Sequence, residues 1–329
     1  TYENFLKFHQ TYYHPSNSFI YLYGNMDMEE KLEFLDSHYL SAFDSLAIDS
    51  EIRDQEAFAQ VKDIQKPYPV SEDEGEEDNT YLSYNMVVGE AADINLSLAF
   101  EVLDYALLSA PGAPLKQALL DAKIGKDIYG SFEDGIKQTY FSIVAKGANL
   151  NQKEEFIKVI RDTLTKIAEE GIDKKAVTAG INYYEFRFRE ADFSSYPKGL
   201  MYGLDILSSW LYDDTKPFCE VQLLEGFEFL KKALEEGYFE ELIRKYLLDN
   251  THGAILSLVP EKGLAAKRDK ELEEKLENYR KSLSDEELTR MVEHTKALEA
   301  YQEAEEAPEA LTCIPMLSRE DIKKEITGL

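Results

Sequence analysis

Cysteine is nearly absent: Cys219 and Cys313 are the only two in 329 residues. Two cysteines so far apart fit a reducing compartment better than a disulfide scaffold. No stretch approaches the ~18 to 20 apolar residues that a membrane-spanning helix needs. No basic stretch followed by an apolar one marks a signal peptide. Basic residues are in deficit, with 36 Lys+Arg against 64 Asp+Glu and a net charge of -28. Such a chain repels phosphate, which excludes nucleic acid along its length and disfavours an anionic membrane surface. Cationic or neutral partners remain.

What is present is core-forming material. Hydrophobic residues make up 44% of the chain and aromatics 12%, enough to bury a sizeable core. The length fits two domains, or one domain with large appendages. The first residue is Thr1, not Met, and a periodic segment begins at once. This leads us to expect a piece of a longer polypeptide.

Phe5, Phe8 and Tyr12 recur at helical spacing within Thr1 to Tyr13. His14-Pro15 ends that helix, because the residue before proline leaves the helical region. Ser18 to Gly24 is aromatic and β-branched and predicts a buried strand, followed by a helix over about Met28 to Phe43. The stretch that follows, with Pro67 and Pro69, has little pattern. Residues 1–70 therefore read as the tail of a preceding domain. Ser71 to Asn79, with six acids in nine positions, is a solvated linker.

Residues 80–263 predict a fuller α+β domain. Strands are expected over Tyr81 to Val88, Ile128 to Phe132, Thr139 to Ala145 and Gly253 to Val259, the last ending at Pro260. Helices are expected over Ile94 to Leu108, Pro114 to Ala122, Asn151 to Gly171, Asp173 to Ala191, Lys198 to Leu211, Cys219 to Glu236 and Phe239 to Leu248. Asn151 with Glu154 has capping-box spacing at the start of the third of these. The order implies helices stacked on a small, mostly antiparallel sheet. Residues 264–307, rich in Lys, Glu, Leu and Ala, predict a charged helical hairpin, with Ser284 and Glu287 as a second capping box. From residue 308 to 329 we expect the start of a further domain. There Leu311 to Leu317 would be extended, with a short helix from Ser318 and Asp321.

Metal chemistry is poorly served by five histidines, no two of which have i, i+4 spacing. Arg290-Met291-Val292-Glu293-His294 approaches an H-x-x-E-H signature, but arginine replaces the first histidine and offers no lone pair. Glu293 and His294 read as polar residues on an exposed helix. No G-x-S-x-G elbow or phosphate loop occurs, and pairs such as Glu169 with Glu170 or Asp213 with Asp214 read as solvated surface. Two features carry more. Tyr183 to Arg189 alternates aromatic and charged residues; core packing is the simpler reading, while its arginines could also line a cavity. Ile128-Tyr129-Gly130-Ser131-Phe132 holds a glycine inside a strand. That is either a plain bend or a position of close approach on an edge that accepts an extended peptide.

The run Phe8-His9-x-x-Tyr12-Tyr13-His14-Pro15-Ser16-Asn17-Ser18-x-Ile20-Tyr21-Leu22-Tyr23-Gly24-Asn25 closely resembles a segment of the insulinase-like (pitrilysin) zinc metallopeptidases, most of all their presequence-protease branch. Gly112-Ala113-Pro114-Leu115, Gln138-Thr139-Tyr140-Phe141-Ser142 and Leu317-Ser318-Arg319-Glu320-Asp321-Ile322 are similar to later segments of the same family. The resemblance implies the end of a catalytic domain, then a second, non-catalytic domain of insulinase/LuxS-like metallohydrolase fold and a hairpin linker. It also implies zinc in the parent enzyme, bound outside this chain, and no cofactor within it. The chain alone should be inactive. Its expected role is to form part of a chamber that degrades unfolded or short, cationic peptides, in company with the remaining domains of the same polypeptide. A bacterial cytoplasmic setting is expected. By position, Tyr129, Gly130, Ser131 and Phe132 match the strand with which relatives hold a peptide by backbone pairing. The alternative is a scaffold subunit from a catalytically inactive member of the superfamily.

Overall fold

Alternation of large apolar residues with small or polar ones builds a five-stranded sheet, seen here in a computed structural model that describes residues 1–314, 316 and 318–321. The strands are β1 (Lys62–Val70), β2 (Thr80–Glu90), β3 (Asp127–Glu133), β4 (Gln138–Ala148) and β5 (Gly253–Lys262), in the order β1-β5-β2-β4-β3. Only the β1–β5 pair is parallel; the others are antiparallel. The sheet is thus largely antiparallel and the domain α+β, as the pattern implied.

Strand periodicity of two sends alternate side chains to opposite faces. One face carries Leu82, Tyr84, Met86 and Val88 of β2, Phe141, Ile143 and Ala145 of β4, and Ile128 of β3, all nearly or fully buried. Helices cover this face. They are α3 (Ile94–Asp104, continued as a wider turn over Tyr105–Ser109), α4 (Pro114–Asp121), α5 (Lys153–Glu170), α6 (Lys174–Glu190), α7 (Lys198–Trp210), α8 (Leu224–Ala233) and α9 (Tyr238–Leu242, continued over Ile243–Leu248). Phe100, Leu103 and Leu107 of the α3 segment and Phe156, Ile160 and Leu164 of α5 fill the layer between helices and sheet. The Tyr84 hydroxyl crosses this layer and donates to the Leu247 carbonyl at 2.7 Å.

Several expectations shift. Residues 62–70 form an edge strand of the main sheet instead of an unpatterned connection. Pro67 and Pro69 explain both the structure and the weak signal. Two apart, they remove N–H groups from one side of the strand, and only its other side bonds β5. Ser18 to Gly24 is extended but pairs with no strand among the described residues. It lies on α7, where Gly203 leaves room for Tyr21: a Cβ there would approach Tyr21 Cε1 to 2.8 Å. Phe19 meets Trp210 edge-on at 4.6 Å. Preceding it is α1 (Tyr2–Tyr12); following it is α2 (Met28–His38), which ends short of Phe43 because Leu40–Ala42 tightens into a separate turn. The capping pair before α5 is Asn149 with Gln152, not Asn151 with Glu154; the Asn149 N–H donates to Gln152 Oε1 at 2.9 Å. β5 continues past Pro260 to Lys262, since Pro260 sits opposite Tyr68 of the parallel β1.

Thr1–Gly263 forms one compact unit and Leu264–Leu329 another. The second holds α10 (Leu264–Ser282), α11 (Asp285–Glu303) and the short α12 (Pro308–Leu311). Ser284 caps α11, its N–H donating to Glu287 Oε2 at 2.8 Å and its hydroxyl accepting from the Glu287 N–H at 3.2 Å. The extended segment expected over Leu311 to Leu317 starts instead as the end of α12, and positions 315 and 317 lie outside the described residues. Of the helix expected after Ser318, one turn over Arg319–Asp321 is seen; residues 322–329 lie outside the described residues.

Candidate functional site

A five-stranded sheet has two edges, and the sequence treats them differently. The β1 edge carries Pro67 and Pro69, which spoil it as a template for another strand. At the opposite edge, β3 is seven residues long and free of proline, and among the described residues no strand pairs with its outer side. Tyr129 to Phe132, the positions singled out from the sequence, occupy the middle of this edge.

The structure divides those four residues by face. Tyr129, 42% exposed, and Ser131 point away from the helices. Phe132 points inward and stacks on Phe100 with ring centroids 5.8 Å apart. Gly130 also faces inward, at the end of a cross-strand row that runs Ile255–Tyr84–Ile143–Gly130. A Cβ at Gly130 would overlap Asp104 Oδ1 and Leu108 Cδ1. The close approach that requires glycine therefore comes from the helix layer beneath the strand. Asp104 Oδ2 accepts from Ser109 at 3.0 Å, while Oδ1 is buried without a partner against the glycine. Burial raises the Asp104 pKa, and the Ser109 hydroxyl opposes the shift.

The face away from the helices bears a polar row of its own. Ser142 Oγ donates to Asn85 Oδ1 at 2.6 Å, and Asn85 Nδ2 donates to Ser83 Oγ at 2.9 Å and to the Ala254 carbonyl at 3.1 Å. Ser131 sits directly opposite Ser142, so the row ends at the β3 edge. The next row, Leu256–Ser83–Val144–Tyr129, is mostly apolar. The surface thus offers unpaired backbone groups at its rim, a hydroxyl beside them and an aromatic ring. These suit an extended peptide backbone.

Below the β3–β4 turn lies a cavity of about 270 Å³. Carboxylates reach it from four elements: Glu101 of α3, Asp134 of the turn, Asp205 of α7 and Glu220 of the helical turn Cys219–Val221. Burial, reinforced by Asp134 and other acids, pushes Glu101 and Glu220 up to about 8. Asp134 and Asp205 are raised as well, burial being the main cause for each. These four positions are scattered over the chain, and no local sequence pattern joins them. Arg187, from the alternating segment of α6, lines the cavity and lies 5.6 Å from the Tyr183 ring. Arg189 instead forks onto Glu185, which also holds Lys231 at 2.7 Å. Both readings of that segment thus apply in part.

Among the described residues no three His, Cys, Asp or Glu side chains converge to hold a metal ion. Glu293 and His294 lie exposed on α11. The residues present do not fit a zinc centre, and no step through zinc is derived from them. No helix among the described residues is long and apolar enough to cross a membrane.

A family model described as the Peptidase M16 inactive domain matches residues 1–184, and one described as associated with the C group of Peptidase M16 matches residues 258–329. The chain belongs to the insulinase-like M16 peptidase family. It is 45% identical over 329 residues to Protein HypA of Clostridium perfringens, covering 100% of this chain and 34% of that protein. It is 34% identical to Presequence protease 1, chloroplastic/mitochondrial, of Arabidopsis thaliana, covering 99% of this chain and 31% of that protein. The chain therefore spans about a third of the length of these relatives. A protease structure from Helicobacter pylori superposes with a TM-score of 0.59 at 17% identity, over 79% of this chain and 59% of that one; this likeness concerns the fold.

Proposed function

We propose that this chain forms the non-catalytic wall of a peptide-degrading chamber in a zinc-dependent oligopeptidase, and that its β3 edge anchors the substrate by strand addition. The observation that carries the reading is the contrast between the two sheet edges. One is spoiled by Pro67 and Pro69; the other is proline-free, unpaired among the described residues and flanked by Tyr129 and Ser131. Backbone pairing supplies affinity without demanding a particular sequence, which suits an enzyme that disposes of varied unfolded peptides. The net charge of -28 favours cationic peptides among them. Zinc, the water-activating glutamate and cleavage itself belong, on this reading, to other parts of the same polypeptide. The reading also assigns it to the bacterial cytoplasm, in keeping with two free cysteines and a relative in Clostridium perfringens.

The test is binding of a fluorescently labelled, unfolded peptide of about 20 to 30 residues, the span that a long strand and its flanks need. Anisotropy should report saturable binding that weakens about tenfold or more in Tyr129→Glu, which places a charge beside the edge. It should barely change in Glu293→Ala on α11. Equal affinity of Tyr129→Glu and the unmodified chain would sink the proposal.

A further inference from the structure

Four carboxylates around one enclosed space need an explanation of their own. Glu101, Asp205 and Glu220 make no hydrogen bond or ion pair among the described residues. The cations that could neutralise them are committed elsewhere. Arg189 and Lys231 share Glu185, and Lys216 lies 3.7 Å from Asp213. Arg187 is the one cation lining the cavity among the described residues, and it is held against the Tyr183 ring, with Nη1 3.4 Å from the Tyr183 hydroxyl. The uncharged polar groups facing in are the Tyr184 and Tyr202 hydroxyls, and burial pushes the Tyr184 hydroxyl out of the range in which it could ionise. Asp192 adds a fifth acid from the connection between α6 and α7.

That connection is also where the backbone is least relaxed. Ala191, with φ of 47°, and Ser194, with φ of 56°, both occupy the left-handed region without being glycine. Residues in that region persist only while their surroundings hold them. The acid-lined cavity is part of those surroundings: Asp192 and Phe193 of the connection line it together with Asp205 and Glu220. Facing them are Glu101 from below and Asp134 from the turn that ends β3.

We propose that this cavity is a proton-operated latch, which holds the α6–α7 connection and the Cys219–Val221 turn against the β3–β4 hairpin while Glu101 and Glu220 are protonated, and releases them when both ionise. Neutral carboxyls let the walls close on one guanidinium. Ionised, up to five anions face a single cation in a water-poor space, and like charges sharing such a site force it apart. The burial-raised affinities of Glu101 and Glu220 for protons put the change near neutral to mildly alkaline pH. The strained connection supplies a segment ready to move. The latch itself does not depend on peptide binding. Its consequence for the substrate, a β3 edge whose turn is held or freed, rests on the function proposed above.

Hydrogen exchange with mass-spectrometric readout, from about pH 6 to pH 9 and corrected for intrinsic exchange rates, tests the latch without any peptide. Protection of the segments containing Asp192 to Pro197 and Asp134 to Lys137 should fall at least about tenfold across that range, while β2 stays protected. In Glu101→Gln/Glu220→Gln the same segments should remain protected at every pH. If the double variant folds poorly, Glu220→Gln alone should halve the response on a logarithmic scale. Protection that is independent of pH in the unmodified protein would overturn the proposal. So would an unchanged pH response in the variants, or loss of protection that includes β2, which would report unfolding instead.

Discussion

Gly130→Ala places a methyl group where the helix layer already touches the β3 edge. Asp104 Oδ1 and Leu108 Cδ1 stand in its way. The leucine can rotate at modest cost. Asp104 can swing aside only by weakening the hydrogen bond it accepts from Ser109. Overpacking of this kind costs about 1–3 kcal/mol, and replacing a strand glycine returns about 0.5–1 kcal/mol. A net destabilisation of about 1–2 kcal/mol is expected, equivalent to a melting-temperature drop of about 2–8 °C for a unit of this size. A double-mutant cycle isolates the contact. In an Asp104→Ala background the clash with Oδ1 is gone, so Gly130→Ala should cost about 1 kcal/mol less than in the unmodified chain. Scanning calorimetry of the Thr1–Gly263 transition measures each corner of the cycle. An unchanged melting temperature in Gly130→Ala would refute the packing argument, and so would a cost as large with Asp104 absent as with it present.

The carboxylate cavity gives stability a pH dependence of unusual sign. Glu101 and Glu220 bind protons more tightly when folded, about 8, than at the ordinary value of 4.5. Their contribution is therefore fully present below about pH 4.5 and declines as pH rises to about 8, by at most about 1.4 kcal/mol per unit per group. Urea titrations at about pH 6 and pH 8 should show Glu101→Gln gaining on the unmodified chain as pH rises. Tyr84→Phe leaves the Leu247 carbonyl without its donor and should cost about 1–2 kcal/mol by denaturant midpoint, with no change in peptide affinity. Ser284→Ala removes the cap of α11 and should lower helix content or local exchange protection there by about 1 kcal/mol, leaving the sheet unaffected.

Much of the fold was legible because it is written locally. The hairpin of β3 and β4 shows in two alternating runs separated by Glu133-Asp134-Gly135, and α11 announces itself by Ser284 and Glu287. What escaped depends on partners distant in sequence. β1 lacks a strand pattern because its prolines are tolerated only at an edge, and the sequence does not say that β5 will arrive from almost two hundred residues away to pair with it. Ser18 to Gly24 has strand composition, yet composition supplies no neighbour, and the segment packs on α7 unpaired. The candidate strand was readable, but not its position at the rim, since a hairpin identifies one neighbour and is silent about the other side. The reason for Gly130 lay with Asp104 and Leu108 of another element. The cavity was hidden for the same cause: Glu101, Asp134, Asp205 and Glu220 come together only in three dimensions.

The central claim is that an extended peptide adds to β3. Amide hydrogen exchange of the chain with and without saturating peptide tests it most directly. The account predicts new protection confined to Asp127–Glu133 and its flanking turn, with β1 unchanged at the opposite edge. Protection appearing elsewhere while β3 exchanges as before would contradict it.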